Sequence, residues 1–169
     1  WEATILNRSQ GRNCPYCSNH RVQVGYNDLF TTNPELESEW DYAKNTTISP
    51  MDITAGSGEK VWWICRNGHS FRSAVHVRTQ GSGCPYCSNR EILAGYNDLA
   101  TTHPSLAQEW NWNKNKEISP TQIGAGSSRR VWWICEKGHE WESSANNRTS
   151  KEGAGCPYCS NRKVLVGFN

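Results

Sequence analysis

The sequence predicts a small α+β fold that is repeated in tandem, and three observations lead to this prediction. The first is an internal period of 70 residues, because GYNDL at 25–29 returns at 95–99 and VWWIC at 61–65 returns at 131–135. The second is a shortage of aliphatic residues, since only 36% of the 169 residues are hydrophobic and nine of the 169 are tryptophan. The third is a set of eight cysteines that recur with histidines at fixed spacings. We therefore expect a metal-stapled α+β fold in which each repeat is a β-hairpin plus a short helix around one zinc ion.

A short helix is predicted after each GYNDL segment. In the first repeat Asn33 stands at the N-cap position and Pro34 at the first helical position, where its missing N–H costs nothing. Leu36 and Trp40 follow four residues apart and share one helix face. The same residue types, Leu and Trp, recur 70 positions later at 106 and 110.

A β-hairpin is predicted next, because residues 61–64 are β-branched and aromatic and residues 65–69 form a turn with a glycine. Phe71 then begins the returning strand, whereas residues 73–78 fit either a short helix or a loop. Neighbouring strand residues face opposite ways, so Trp62 and Trp63 do not share a surface. We expect one of them to pack with Trp40 near the metal site. The other either covers the opposite side or offers a platform on which an unpaired base stacks.

Each complete repeat carries a Cys-x-x-x-His pair in the hairpin turn and a Cys-x-x-Cys pair that is separated from the histidine by 14 or 16 residues. Zinc binds four such ligands in a closed tetrahedron when its role is structural. A disulfide framework leaves the recurring histidines unexplained, and a thioredoxin-like redox role for the CPYC motif lacks a βαβ context. The predicted ligands are Cys65, His69, Cys84 and Cys87 for one ion, and Cys135, His139, Cys156 and Cys159 for the other.

A third, incomplete site is predicted near the N-terminus, where Cys14 and Cys17 repeat the second ligand pair. A Cys-x-x-x-His pair upstream of Trp1 would complete it; otherwise these cysteines are unliganded or use a residue such as His20. We accordingly divide the chain into the C-terminal part of a truncated repeat (1–24) and two complete repeats (25–94 and 95–169). We expect the chain to be part of a longer protein.

These motifs together resemble a known family. The GYNDL segment, the Pro-Glu-Leu helix ending in Glu-Trp, the Val-Trp-Trp-x-Cys-x-x-Gly-His hairpin and the Gly-Cys-Pro-Tyr-Cys knuckle are similar to tandem "probable zinc-ribbon" repeats of treble-clef type in bacterial, phage and large-virus proteins. The resemblance implies treble-clef or zinc-ribbon-like units that hold zinc through the eight ligands above. It also implies nucleic-acid binding, and in some members a neighbouring nuclease domain similar to very-short-patch-repair endonucleases. No nuclease motif lies in this chain.

The charge pattern gives a weaker indication of function. Eighteen Lys and Arg nearly balance sixteen Asp and Glu, and two zinc ions with three thiolates each would bring the net charge of +2 to about zero. Nucleic-acid binding therefore has to come from local patches, and we expect DNA rather than RNA. The candidate contacts are Arg8, Arg78 and Arg148, which recur before Ser or Thr, and Lys60, Arg129, Arg130, Arg90, Arg162 and Lys163, which flank the Trp-Trp strands and the knuckles. The sequence leaves open a second role for Arg78 and Arg148, namely bonds inside their own repeat.

Other classes of function are less favoured. A zinc-stapled protein-interaction or spacer array is the alternative, and the near-neutral charge is compatible with it. Catalysis is not expected, because neither ligand set leaves an open zinc position and Glu39 and Glu109 are explained as solvated residues or caps. No apolar run approaches the roughly 18 residues of a transmembrane helix, so we expect no membrane partner and an intracellular location.

Overall fold

The computed structural model describes residues 1–11, 13–150, 154–164 and 167. The chain divides into two compact units, Trp1–Cys84 and Pro85–Asn169. Both contain the small α+β arrangement that the sequence predicts, and the repeat boundaries at residues 24 and 94 stay predictions. Within the described ranges, no helix is long and apolar enough to cross a membrane.

The two units have nearly the same order of elements. In the first unit these are α1 (Ile5–Ser9), α2 (Leu29–Thr32), two 3-10 helices (Pro34–Glu39 and Pro50–Asp52), β1 (Lys60–Ile64), β2 (Ser70–Ala74) and α3 (Val75–Thr79). In the second unit they are α4 (Leu99–Thr102), α5 (Pro104–Gln108), β3 (Arg130–Ile134), β4 (Glu140–Ser144) and α6 (Ala145–Thr149).

The predicted hairpin is confirmed in both units. β1 pairs with β2 and β3 with β4 in antiparallel registers that place Trp63 opposite Phe71 and Trp133 opposite Trp141. The segment that the sequence left undecided is partly strand and partly helix, because β2 runs to Ala74 and α3 begins at the next residue. The turn between the strands of each hairpin carries the first metal-ligand pair.

The helix predicted at Pro34 and Pro104 is also confirmed, as a 3-10 helix in the first repeat and as α5 in the second. Pro34 and Pro104 occupy the first helical turn, but the side chains of Asn33 and His103 make no capping hydrogen bond. The aspartate of GYNDL caps the separate short helix that comes before the predicted one, because the Asp98 carboxylate accepts from the backbone N–H of Thr101 in α4.

Burial alone would raise the pKa of Asp98, but hydrogen bonds from the Thr101 hydroxyl and from the backbone amides of Thr101 and Gly95 outweigh it. The pKa of this carboxyl is therefore lower than usual, and Asp28 in the first unit shows the same balance. An ionised, fully bonded aspartate at this place fixes the turn that enters each repeat.

Tryptophan rather than aliphatic side chains fills the core of each repeat. Trp63 and Trp133 are fully buried, and their rings meet those of Trp40 and Trp110 edge-on at centroid distances of 5.3 and 5.5 Å. The predicted partnership of one hairpin tryptophan with Trp40 is thus confirmed, and Trp63 is the residue that makes it. Large edge-to-face rings supply much apolar area from few residues, which explains how a sequence poor in aliphatic residues forms a core.

Candidate metal centres and cationic surfaces

Each predicted ligand tetrad comes together where the hairpin turn meets the following knuckle. The backbone N–H of Gly68 donates to the carbonyl of Cys65, and the Cys65 N–H donates to the carbonyl of His69, so the turn presents both side chains on one side. The four ligand atoms of Cys65, His69, Cys84 and Cys87 lie within 4.8 Å of one another, as do those of Cys135, His139, Cys156 and Cys159.

The spacing of the ligand atoms fits zinc. In the second tetrad Nδ1 of His139 lies 3.4, 3.6 and 3.3 Å from the sulfurs of Cys135, Cys156 and Cys159. The Cys135 and Cys159 sulfurs are 3.9 Å apart. A zinc ion about 2.3 Å from each sulfur and about 2.0 Å from nitrogen gives tetrahedron edges of about 3.5–3.8 Å, which these distances match. Three thiols and one imidazole are also the donor set of closed structural zinc sites.

The pKa values of the thiols in this tetrad indicate which sulfur would give up a proton to zinc. Burial would raise the pKa of Cys135, but hydrogen bonds from the backbone amides of His139 and Lys137 to its sulfur hold it below its usual value. Desolvation, together with the neighbouring Cys156 and Cys135 thiols, raises the pKa of Cys159 to about 11. The backbone thus favours the thiolate form of the Cys135 sulfur, whereas Cys159 must lose a proton when the metal binds.

The disulfide alternative and the third site at Cys14 and Cys17 find less support. No disulfide joins any of the eight cysteines, all of which lie in the described part of the chain. The pair Cys14 and Cys17 is not part of a group of three or more ligands among the described residues. His20 is likewise in no such group, and its Nδ1 bonds the hydroxyl and carbonyl of Ser18. The two complete tetrads are therefore the metal centres that the described residues form.

Arg148 lies inside its unit rather than at its surface, with 6% of its area exposed. Its Nη2 donates to Oε2 of Glu109 at 2.6 Å, and its Nη1 donates to the carbonyl of Ala154 at 3.0 Å. The guanidinium carbon also lies 5.0 and 5.1 Å from the ring centroids of Trp133 and Trp141. Both Nη atoms are thus bonded and two aromatic rings lie close to the guanidinium, while its buried Nε has no hydrogen-bond partner among the described residues.

Arg78 is held in the same way, by Glu39, the carbonyl of Ser82 and the rings of Trp63 and Phe71. A guanidinium that is 5% exposed and bonded on several sides does not reach a phosphate. The expectation that Arg78 and Arg148 contact nucleic acid is therefore corrected, and the alternative role inside the repeat is the one that the geometry supports.

Glu39 and Glu109 are the structural residues that the sequence analysis missed. They were interpreted as solvated residues or caps, yet each is the ion-pair partner of a buried arginine 39 positions later. The signal was present in the sequence, because the glutamate and the arginine recur together in both repeats at the same separation.

Exposed cations gather beside the outer tryptophan of the second hairpin. A groove of about 380 Å³ is lined by Lys114, Lys116, Arg129 and Arg130 together with Trp132. Lys114 Nζ lies 3.8 Å from the Trp132 ring centroid and 2.7 Å from Glu140. Arg130 pairs more loosely with a carboxylate of β4, Glu142, at 3.7 Å. Both ion pairs are substantially exposed, so a competing anion can replace these carboxylates at little cost.

The remaining candidate contacts lie on the surface and do not line this groove. Arg8 is exposed with its guanidinium carbon 5.2 Å from the Trp1 ring centroid, and Lys60 is exposed at the start of β1. Arg90 and Arg162 bond a serine hydroxyl of their own knuckle, Ser88 and Ser160 respectively. Lys163, also exposed, follows the last knuckle and lines a shallow cavity with Arg162.

Comparisons with known proteins agree with this architecture. A family model described as "Probable Treble clef zinc finger domain" matches residues 36–90 and 106–162, which is most of the chain. A protein of Escherichia phage T5 described as "Putative endonuclease" is 28% identical over 99 residues. That match covers 57% of this chain but 31% of the phage protein, so the chain corresponds to less than a third of that relative's length.

Proposed function

The chain belongs to the treble clef zinc finger family, and from this membership we propose that it is a zinc-stapled, non-catalytic module that binds nucleic acid, with DNA as the expected partner. Zinc holds each repeat rigid, and the ligand sets leave no coordination position for a substrate. In a longer protein such a module would target a neighbouring activity. The phage relative, described as an endonuclease, supports this view, because its matched region is a minor part of its length.

The observation that carries the proposal is the cationic groove beside Trp132. Four cationic side chains and one carboxylate, Glu117, line it. Of the four, Lys116 and Arg129 have no carboxylate within ion-pair distance in the described part of the chain. A row of lysine and arginine along a groove is what a phosphate backbone requires, and such contacts supply sequence-independent affinity. The near-neutral net charge is no obstacle, because the attraction is local.

The first repeat offers a matched control for this groove. Thr46 and Glu59 stand at the positions of Lys116 and Arg129, so the same fold carries a much less cationic surface there. Lys116→Thr, Thr46→Lys and Glu59→Arg therefore change the charge without introducing a residue that the equivalent position does not already carry, and Arg129→Ala removes one charge without adding another.

The experiment compares the binding of a labelled DNA oligonucleotide at 50 and 200 mM salt. For the Lys116→Thr, Arg129→Ala variant we expect the slope of log affinity against log salt to fall by about two. At a slope of roughly 0.9 per phosphate, the wild type would then lose roughly tenfold more affinity than the variant across this range. The reciprocal Thr46→Lys, Glu59→Arg variant is expected to bind more tightly and with a steeper slope.

The proposal fails if the folded, zinc-loaded wild type binds nucleic acid weakly and without salt dependence, which is the behaviour of a spacer array. The groove is the wrong surface if binding is steeply salt-dependent but unchanged in the Lys116→Thr, Arg129→Ala variant. Thermal unfolding of each variant shows whether it remains folded, and exposed substitutions of this kind are expected to change stability by less than about 0.5 kcal/mol.

A further inference from the structure

One aromatic position is kept at the surface in both repeats. Tyr42 and Trp112, which are 70 residues apart, are 59% and 60% exposed. The tryptophans two residues before them, Trp40 and Trp110, are almost completely buried. Single exposed aromatic residues are common in proteins. An exposed ring that recurs at the same place beside cationic side chains is a more specific feature.

The turn that carries Trp112 is held firmly against the hairpin. The side-chain amide of Asn115 spans the backbone of Trp132, donating to its carbonyl at 2.7 Å and accepting from its N–H at 2.9 Å. The backbone N–H of Asn111 donates to the same carbonyl at 3.1 Å. In the first unit Asn45 bonds the backbone of Trp62 in the same manner. The exposed ring is therefore presented on a rigid support, which lowers the entropic cost of using it for binding.

The surroundings of Trp112 favour a polyanionic partner over an apolar one. Its neighbours along the turn are Asn111, Asn113 and Lys114, and Asn113 and Lys114 line the cationic groove. The core of a protein–protein interface is depleted in lysine and rich in apolar contacts, which this turn does not provide. Single-stranded nucleic acid combines the two features that are present, because its phosphates need cations and its unpaired bases need an aromatic face.

We propose that Trp112, and Tyr42 in the first repeat, stack on unpaired bases of a single strand whose phosphates follow the adjacent cationic side chains. This inference rests on the proposed function and narrows it to single-stranded substrates, since the base faces of a duplex are covered by their neighbours. Lys114 contacts the Trp132 ring and so covers it, whereas within the described residues no ring contact or hydrogen bond occupies the Trp112 side chain. The turn that exposes the Trp112 ring therefore also supplies part of the lining of the cationic groove.

The test uses the 169-residue chain with two bound zinc ions and three DNA probes of equal length. The probes are a single strand, a single strand in which the central bases are removed to leave abasic sites, and a duplex. We expect the wild type to bind the base-bearing strand about tenfold more tightly than the abasic strand. Trp112→Ala should lose this preference while its affinity for the abasic strand and its salt slope stay unchanged.

Trp112→Tyr should retain most of the preference, because tyrosine already fills the equivalent position in the first repeat. Tyr42→Ala is expected to have a smaller effect than Trp112→Ala, since fewer cations accompany Tyr42. Met51→Ala is the matched control, because it removes an apolar side chain that is 48% exposed and lies outside both turns, in the 3-10 helix Pro50–Asp52.

Equal affinity of the wild type for the base-bearing and abasic strands, or tighter binding of the duplex, overturns the stacking role while leaving salt-dependent binding in place. If the wild type shows no salt-dependent binding to any of the three probes, the proposed function itself is overturned. If Trp112→Ala instead converts a dimer to a monomer in sedimentation and leaves oligonucleotide binding intact, the exposed ring is an interface between copies and the inference is wrong.

Discussion

The buried arginine of the second repeat gives the sharpest test of the fold. Arg148→Ala removes a guanidinium that lies between two tryptophan rings and pairs with Glu109 at 2.6 Å. Breaking a buried ion pair from one side costs about 3–5 kcal/mol, because the other charge loses its partner. The Glu109 side chain keeps 35% of its surface exposed and water can hydrate it, so we expect the lower end, about 3 kcal/mol.

In a unit of this size each kcal/mol shifts the melting temperature by roughly 4–8 °C, so the expected loss is roughly 12–24 °C. The assay is thermal unfolding at saturating zinc. Near-ultraviolet circular dichroism monitors it, because this signal reports the packing of the tryptophans. Arg130→Ala is the control, because Arg130 and its partner Glu142 are 65% and 41% exposed and lie 3.7 Å apart. It should change stability by less than about 1 kcal/mol.

The two variants should separate folding from binding. Arg148→Ala is expected to lower the melting temperature and to leave the salt slope of the remaining folded protein unchanged. Arg130→Ala is expected to leave the melting temperature nearly unchanged and to lower the salt slope, because the Arg130 side chain lines the cationic groove. An Arg148→Ala protein with the wild-type melting temperature and a salt slope reduced by about one would refute the structural role and restore the phosphate contact.

Two further predictions concern zinc. The chain should bind close to two zinc ions, and Cys135→Ser should reduce this number to one. The second repeat should then unfold while the first stays folded, since each repeat depends largely on its own metal. Elemental analysis measures the zinc content and circular dichroism the unfolding, and an unchanged zinc content contradicts the assignment. Because the pKa of Cys159 is raised to about 11 in the metal-free tetrad, its thiol is protonated between pH 6 and 9 and zinc must displace that proton. Apparent zinc affinity should therefore fall at least about tenfold for each unit by which the pH is lowered, as measured by chelator competition, and a flat profile would exclude this ligand.

The metal centres were predictable because they depend on short-range sequence features. Two ligands within a five-residue turn and two within a four-residue knuckle are close in space whatever the rest of the chain does, and both motifs occur twice. The hairpin was predictable for a similar reason, since β-branched and aromatic residues on either side of a glycine turn pair locally. The helix was placed correctly with Asn33 at its N-cap position, but the Asn33 side chain makes no capping hydrogen bond, and Asp28 caps the separate helix α2 that precedes it.

The choice between equivalent side chains was not predictable. Strand alternation required Trp62 and Trp63 to face opposite ways, yet it did not say which of them enters the core, because that depends on where Trp40 packs. The exposed position of Trp112 was equally hidden, since an aromatic residue near a buried one is normally expected to join it.

The sequence by itself thus determined the tandem organisation, the zinc chemistry and the hairpin, all of which follow from spacings of a few residues. Only the tertiary structure decided which charges are surface charges. Arg148 and Arg130 are alike in the sequence, but the first meets Glu109 from 39 residues away between two buried rings, whereas the second meets water and an exposed carboxylate. The physical reason is that desolvation and ion pairing depend on the distances between residues far apart in the chain, and these distances exist only after the chain has folded.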